Sequence, residues 1–250
     1  MNRIAVAVVA LVALAALPVR AAEPQERVTF KASDGETVYG WSQISPQDIA
    51  RKRAVILLFH QAGSSHAEYT PTQAILARHG WDSIAIDQRS GGTMYGPNET
   101  VKKRGKSAPS YEDALPDVLG AVDYSRAAQP RRHVILWGSS YSAALVFFAA
   151  QQRKPDVRAV LAFSPGEYLT DPHSVRPIAA DIGVPLFVEE TPSEKNDAQP
   201  LVAAAGKFAQ NVVVAQGIHG SSTLRKDKNP KGYRDAWKPV LAFLETIKKR

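Results

Sequence analysis

From Ala54 onward, short apolar runs alternate with stretches whose apolar residues recur at helical spacing. Ala54–Phe59 (AVILLF) is apolar without a break, as expected of a strand covered on both faces in a parallel sheet. Trp81–Ile86, Val134–Trp137, Val157–Phe163, Pro185–Val188 and Val212–Ala215 read as further strands. Between them, Pro71–His79, Tyr111–Ala128, Ser140–Gln152, Leu201–Gln210 and Asp235–Ile247 read as helices. Thr70 and Pro71 suit a helix start, and His79-Gly80 a stop. Glu112 and Asp113 open the next helix where its dipole favours anions, and Pro116 falls in its first turns. Ser90 to Ser110 reads as a polar loop. Upstream, Arg27–Ala32 and Thr37–Ile44 flank Asp34-Gly35, a hairpin turn signal. The order predicts an α/β domain whose mostly parallel sheet, of about eight strands, carries helices on both faces and an antiparallel N-terminal edge.

In such a sheet the functional residues lie just after the strands. Val134–Leu145 reads VILWGSSYSAAL, a strand that turns into a helix through Ser139, Ser140 and Ser142. G-x-S-x-G in that setting is the nucleophile elbow of the α/β-hydrolase fold, with Ser140 at its centre. The elbow demands small flanking residues. Gly138 meets that demand, and Ser142 stands where glycine is usual. The bend holds the central residue in a sparsely populated conformation costing about 1–3 kcal/mol, and aims its hydroxyl at the site. Serine is also a favoured helix cap, so the motif needs partners to mean chemistry; Ser139 and Ser142 are assigned to packing and capping.

A serine nucleophile needs a base, and the base an orienting group. Of the six histidines, His60, His66, His79, His133 and His173 each have a structural explanation at a strand, helix or loop end. His219, in VVVAQGIHG, follows the last strand and comes last in the order Ser, acid, His. The acid should follow the preceding strand, in PLFVEETPSE. Glu189 and Glu190 sit at the strand end. Glu194, beyond Pro192, is better placed to reach back to the histidine, and Asp197 is the next choice. An oxyanion would be held by the Tyr141 N–H and by an amide of the loop His60-Gln61-Ala62-Gly63; His-Gln replaces the usual His-Gly, and Gln61 and Ala62 both remain open.

LLFHQAGSS, AIDQRSGG, WGSSYSAAL, the acidic segment at Glu194 and GIHGSS together resemble an α/β-hydrolase of the dienelactone-hydrolase-like kind, over roughly Ala54 to Ile247. The resemblance implies a serine hydrolase that cleaves small-molecule carboxylic esters through an acyl-enzyme, with no metal or cofactor. Dienelactone hydrolase proper uses a cysteine nucleophile, so this chain implies general ester hydrolysis instead. A peptidase or thioesterase on the same triad, or a non-catalytic envelope binding protein of this fold, are the alternatives. The short stretch between Phe163 and Pro185 leaves no room for a large cap domain, which implies an open site.

Composition narrows the setting. Met1–Pro18 carries Arg3 and then an apolar run, and Val19-Arg20-Ala21 ends like a cleavage site. A signal peptide over residues 1–21, with the hydrolase domain over 22–250, is expected, and with it export to the periplasm or exterior. The run is short for a spanning helix of about 20 residues, so stable membrane insertion is not expected. With no cysteine, no disulfide supports the fold. The net charge of +7 falls to +5 when Arg3 and Arg20 leave with the leader. The cations are scattered, without the basic and aromatic stripe of a nucleic-acid surface.

Overall fold

In the computed structural model, which describes residues 25–45 and 54–249, Asp34-Gly35 joins β1 (Glu26–Lys31) and β2 (Thr37–Gln43) in antiparallel register, with Phe30 opposite Val38. The leader expected over residues 1–21 lies outside the described residues. The apolar run Ala54–Phe59 forms β3 and is buried throughout. It is followed by a 3-10 turn, His66–Tyr69, and α1 (Thr70–Arg78), with Pro71 in its first turn where a missing N–H does no harm. Then come β4 (Ser83–Asp87), α2 (Glu99–Arg104), α3 (Leu115–Ala128), β5 (His133–Ser139), α4 (Tyr141–Gln152) and β6 (Val157–Phe163). The chain continues through α5 (Val175–Ala180), β7 (Leu186–Glu190), α6 (Lys195–Ala205), β8 (Ala209–Val213) and α7 (Tyr233–Lys248).

The eight strands form one sheet in the order β1-β2-β4-β3-β5-β6-β7-β8. Only the pairings of β2 with β1 and with β4 are antiparallel. The chain lays β4 on one side of β3 and β5 on the other, so the loops after β3 and β5 meet where strand order reverses. That is where open α/β sheets place their sites. Alternation along each strand divides the core. Val55, Leu57 and Phe59 face the layer of α3, α4, α5 and α6, while Ile56 and Leu58 face α1 and α7. Each such side chain, fully buried, contributes about 1.5–3 kcal/mol by leaving water.

Several boundaries differ from the sequence reading, each for a local reason. The loop from Ser90 to Ser110 contains α2, which is capped by the Asn98 side chain accepting from the Val101 N–H at 2.8 Å. The helix expected from Tyr111 starts as a 3-10 turn over Glu112–Ala114, and α3 proper begins beside Pro116. The helix expected over Leu201–Gln210 is shifted toward the N terminus. It begins at Lys195, tolerates Pro200 inside, and ends where Gly206 takes φ +55°. That early stop lets β8 form over Ala209–Val213 rather than Val212–Ala215. Between β6 and β7 the chain inserts only α5 and its flanking loops, so no large cap covers the sheet edge. Among the described residues no helix is long and apolar enough to cross a membrane.

Candidate active site

The end of β5 bends sharply into α4. Ser140 sits at the bend with φ 58° and ψ −124°, a region unfavourable to any side chain-bearing residue. Its N–H is held by the Phe163 carbonyl at 2.9 Å, and its carbonyl accepts from the Ala143 N–H at 2.8 Å. Close packing dictates the flanks. A Cβ on Gly138 would lie 2.4 Å from the Ser142 carbonyl oxygen, so no side chain fits there. Ser142, at the usual glycine position, turns its hydroxyl away from the bend and donates to the His60 carbonyl at 2.6 Å. The replacement therefore joins the helix to the end of β3 instead of crowding the elbow.

The Ser140 Oγ lies 2.8 Å from His219 Nε2, and His219 Nδ1 lies 2.6 Å from Glu194 Oε1. Serine, imidazole and carboxylate thus form one continuous hydrogen-bonded row, drawn from the ends of β5, β8 and β7. Glu194 occupies the last position of the 3-10 turn Pro192–Glu194, and its other oxygen accepts from the Thr191 N–H at 2.9 Å and the Ser164 hydroxyl at 2.8 Å. Burial alone would raise this carboxyl. The hydrogen bonds from His219, the Thr191 backbone and Ser164 outweigh it and hold the pKa down at about 2. A permanently ionised carboxylate fixes the imidazole so that Nδ1 carries the proton and Nε2 faces the serine. Asp197, the next choice, lies exposed on α6, and the carboxylate that meets His219 is that of Glu194. Glu189 and Glu190 are buried in β7; Glu190 accepts from Asn211, and neither oxygen of Glu189 has a hydrogen-bond partner.

The oxyanion loop resolves differently from a simple pair of candidates. The Gln61 N–H donates to Glu68 Oε2 at 3.0 Å, which corrects the expectation that it is free for substrate. Among the described residues neither the Ala62 N–H nor the Tyr141 N–H has an internal acceptor. The Gln61 side chain donates to Ser222 Oγ at 2.9 Å, tying the loop to the segment after His219. A glutamine in place of glycine is thereby a brace.

Ser164, which sequence reasoning passed over, takes part in the site. It follows β6 directly, is buried, and adopts φ 50°. Its hydroxyl donates to Glu194 and accepts the Gly220 N–H at 2.8 Å, linking the acid to the residue beside the imidazole. Gly220 itself has φ +66°, and a Cβ there would lie 2.5 Å from Ser139 Oγ, so the histidine loop depends on a glycine at this point. Ser139 donates to Glu68 at 2.9 Å and accepts the Ser221 N–H at 2.8 Å.

Two of the other histidines are held within the scaffold. His60 is fully buried: its Nε2 accepts the Gln88 N–H at 3.0 Å, so Nδ1 donates to the Gln61 carbonyl at 2.8 Å. Burial lowers its pKa and keeps it neutral. His66 stacks on Trp41 and bonds Asp87 at 2.9 Å. In the AIDQRSGG segment Arg89 forms an ionic clamp. Arg89 binds Asp34 in the hairpin turn and Asp117 on α3, at 2.6 and 2.7 Å. Among the described residues no group of His, Cys, Asp and Glu side chains is placed to hold a metal ion. The His219 side chain is 46% exposed, and Met94 and Tyr111 present apolar surface to solvent.

A family model described as serine aminopeptidase, S33, matches residues 50–219. No curated protein matches the chain. Among solved structures, a dienelactone hydrolase from Anabaena variabilis superposes with TM-score 0.68 at 13% identity, over 89% of this chain and 97% of that one. The esterase Pf2001 of Pyrococcus furiosus gives 0.65 at 18% identity, over 89% and 90%. A Xanthomonas campestris α/β serine hydrolase described as lacking a lid gives 0.64 at 16%, over 89% and 94%. At these identities the neighbours speak for the fold.

Proposed function

The chain belongs to the serine aminopeptidase S33 family of α/β-hydrolases, and we propose that it cleaves small-molecule carboxylic esters through a covalent acyl-enzyme. The carrying observation is the unbroken row Ser140, His219, Glu194, at 2.8 and 2.6 Å. In the proposed cycle His219 Nε2 takes the Ser140 proton as Oγ adds to the ester carbonyl. The developing oxyanion is met by the Ala62 and Tyr141 N–H groups, and the imidazolium is stabilised by Glu194. His219 then returns the proton to the leaving alcohol. Water then adds to the acyl carbonyl while His219 takes its proton, and His219 passes that proton to Ser140 Oγ as the acyl–oxygen bond breaks and the acid leaves. The exposed imidazole and the absence of a large cap support accessible, short esters over long-chain lipids, which need an apolar tunnel.

The family description favours a second reading, cleavage of an aminoacyl amide by the same residues. Purified protein offered p-nitrophenyl acetate and an aminoacyl p-nitroanilide separates the two. Labelling by a fluorophosphonate, and its loss in Ser140→Ala, tests the nucleophile. Folded wild-type protein that neither labels nor turns over either compound would leave a binding protein of this fold. We also propose that the protein is exported, on the strength of its Met1–Pro18 leader. N-terminal sequencing of secreted material should then begin at Ala22, and material that retains Met1 would overturn that.

A further inference from the structure

Beneath the elbow lies a carboxyl that the proposed reaction does not use. Glu68 belongs to the 3-10 turn His66–Tyr69 and is 1% exposed. One oxygen accepts the Gln61 N–H at 3.0 Å and the other the Ser139 hydroxyl at 2.9 Å. Ser139 in turn accepts the Ser221 N–H. A single side chain therefore joins the loop that presents Ala62, the residue before Ser140, and the segment that follows His219. Its surroundings do not neutralise it by contact. Arg225 donates to the backbone carbonyls of Ala67 and Glu68, and its guanidinium pairs with Asp227. The Tyr69 hydroxyl is given to the Phe59 carbonyl, the Tyr95 hydroxyl meets Ser222, and the buried Tyr141 hydroxyl has no partner. His60 is neutral. Among the described residues no cation touches the carboxyl.

We propose that Glu68 is a positioning residue for the hydrolytic site: it turns the Gln61 N–H inward, so that the Ala62 N–H is the one left for substrate, and locks the nucleophile and histidine segments to that loop. The proposal rests on the roles given above to Ser140, His219 and Ala62. Chemistry favours a carboxylate here. It accepts from both donors at once, whereas a glutamine in the same place serves one and presents an N–H to the other. Burial, partly offset by the Gln61 and Ser139 bonds and by Arg225, raises this carboxyl to about 7. Near neutrality Glu68 therefore exchanges an acceptor oxygen for a donor, and the brace loosens as pH falls.

The test uses wild type, Glu68→Gln, Glu68→Ala and Ser139→Ala, each checked for folding by circular dichroism and thermal melting. Readouts are p-nitrophenyl acetate hydrolysis and the rate of fluorophosphonate labelling. Glu68→Gln should lower kcat about tenfold and Glu68→Ala about 10²–10³-fold, the scale of a lost oxyanion donor, with KM within about threefold. Ser139→Ala, which leaves Glu68 its Gln61 bond but removes its Ser139 bond and the acceptor of the Ser221 N–H, should fall between wild type and Glu68→Ala. In wild type log kcat/KM should fall more steeply on the acid side than in Glu68→Gln, because Glu68 takes up a proton there that the glutamine cannot. A Glu68→Gln protein that turns over and labels at the wild-type rate, with an unchanged acid limb, overturns the inference while wild-type labelling still upholds the hydrolase reading. Wild type that neither labels nor turns over ester removes the reading and the inference together.

Discussion

Replacing Ser164 separates what its hydroxyl does for the acid from what its backbone does for the fold. Ser164→Ala deletes a donor to ionised Glu194 and the acceptor of the buried Gly220 N–H. A hydrogen bond to a charged group is worth about 1.5–3 kcal/mol, and an orphaned N–H costs about 1–3 kcal/mol. Glu194 keeps its Thr191 and His219 partners. Its pKa, about 2 in the wild type, rises but stays far below neutrality, so the carboxylate remains ionised and loses orientation, not charge. Complete loss of the orienting acid lowers turnover by about 10⁴ in the Ser-His-Asp case, which sets the ceiling. Partial loosening should lower kcat by about 10–30-fold, or about 1.4–2 kcal/mol of barrier.

Ser164→Gly supplies the control. It removes the same hydroxyl, but glycine adopts φ 50° freely. Relief of the strain should leave the glycine variant more stable than the alanine variant by about 1 kcal/mol, or about 2–4 °C in Tm for a domain of this size. Both variants are assayed at pH 8 with p-nitrophenyl acetate and melted by calorimetry. Equal kcat losses with unequal Tm are expected. Wild-type turnover in Ser164→Ala, or kcat values for the two variants differing more than about fivefold, would refute the reasoning that the hydroxyl alone carries the catalytic effect.

Glu189→Leu should stabilise the protein. Both carboxyl oxygens are buried without partners and the group is held protonated by burial, so removing it should return about 1–3 kcal/mol and raise Tm by a few degrees, read by calorimetry; a lower Tm would mean the oxygens are satisfied. Stability should also depend on pH in an unusual direction. Glu68 has its pKa raised from 4.5 to about 7, so the native state holds a proton that the unfolded chain releases; its contribution is full below pH 4.5 and lost as pH rises through 7. The effect is on the order of 3 kcal/mol. Glu194, depressed to about 2, acts oppositely and only in acid: its contribution is present above pH 4.5 and lost on descent toward 2. Thermal melts should therefore peak near pH 5 and decline toward pH 8, and Glu68→Gln should flatten that decline; a wild-type Tm that rises from pH 5 to 8 would sink the argument.

The strands covered on both faces were legible because their burial is written in the chain. Ala54–Phe59 is apolar throughout and Val157–Phe163 is apolar but for Arg158, and both form strands with those bounds. The hydrogen-bonded row Ser140, His219 and Glu194 was legible because each of the three follows a strand, and strand ends converge. The short helices α2 and α5 were not, since six residues offer no period to recognise and their formation depends on capping and packing. Gly206 did carry a readable stop signal that the expected helix overran. Ser164 had one signal, its place directly after β6, the rule that singled out His219. Glu68 had none: in His66-Ala67-Glu68-Tyr69 it looks like a solvated loop acid, and only tertiary packing buries it.

Register explains why two serines can be strained together. Ser139 of β5 pairs with Phe163 of β6, and this is the last pairing between those strands. The next residue in each is Ser140 or Ser164, and these are the two non-glycine residues with positive φ among those described. The strands thus leave the sheet at the same level, each through a strained serine. The two departures are fixed by backbone bonds across the sheet, Ser140 N–H to the Phe163 carbonyl and Ser164 N–H to the Glu189 carbonyl. Each strained residue costs about 1–3 kcal/mol, a large share of a typical net stability of about 5–15 kcal/mol. A chain without cysteine has no disulfide to hold such a site, so the sheet must hold it. Strain placed one residue beyond the final pair is strain the sheet can hold most directly. The same step carries one hydroxyl toward the imidazole and the other toward the carboxylate that orients it. A one-residue slip between β5 and β6 would break both contacts at once, so selection on the hydroxyls is also selection on the register.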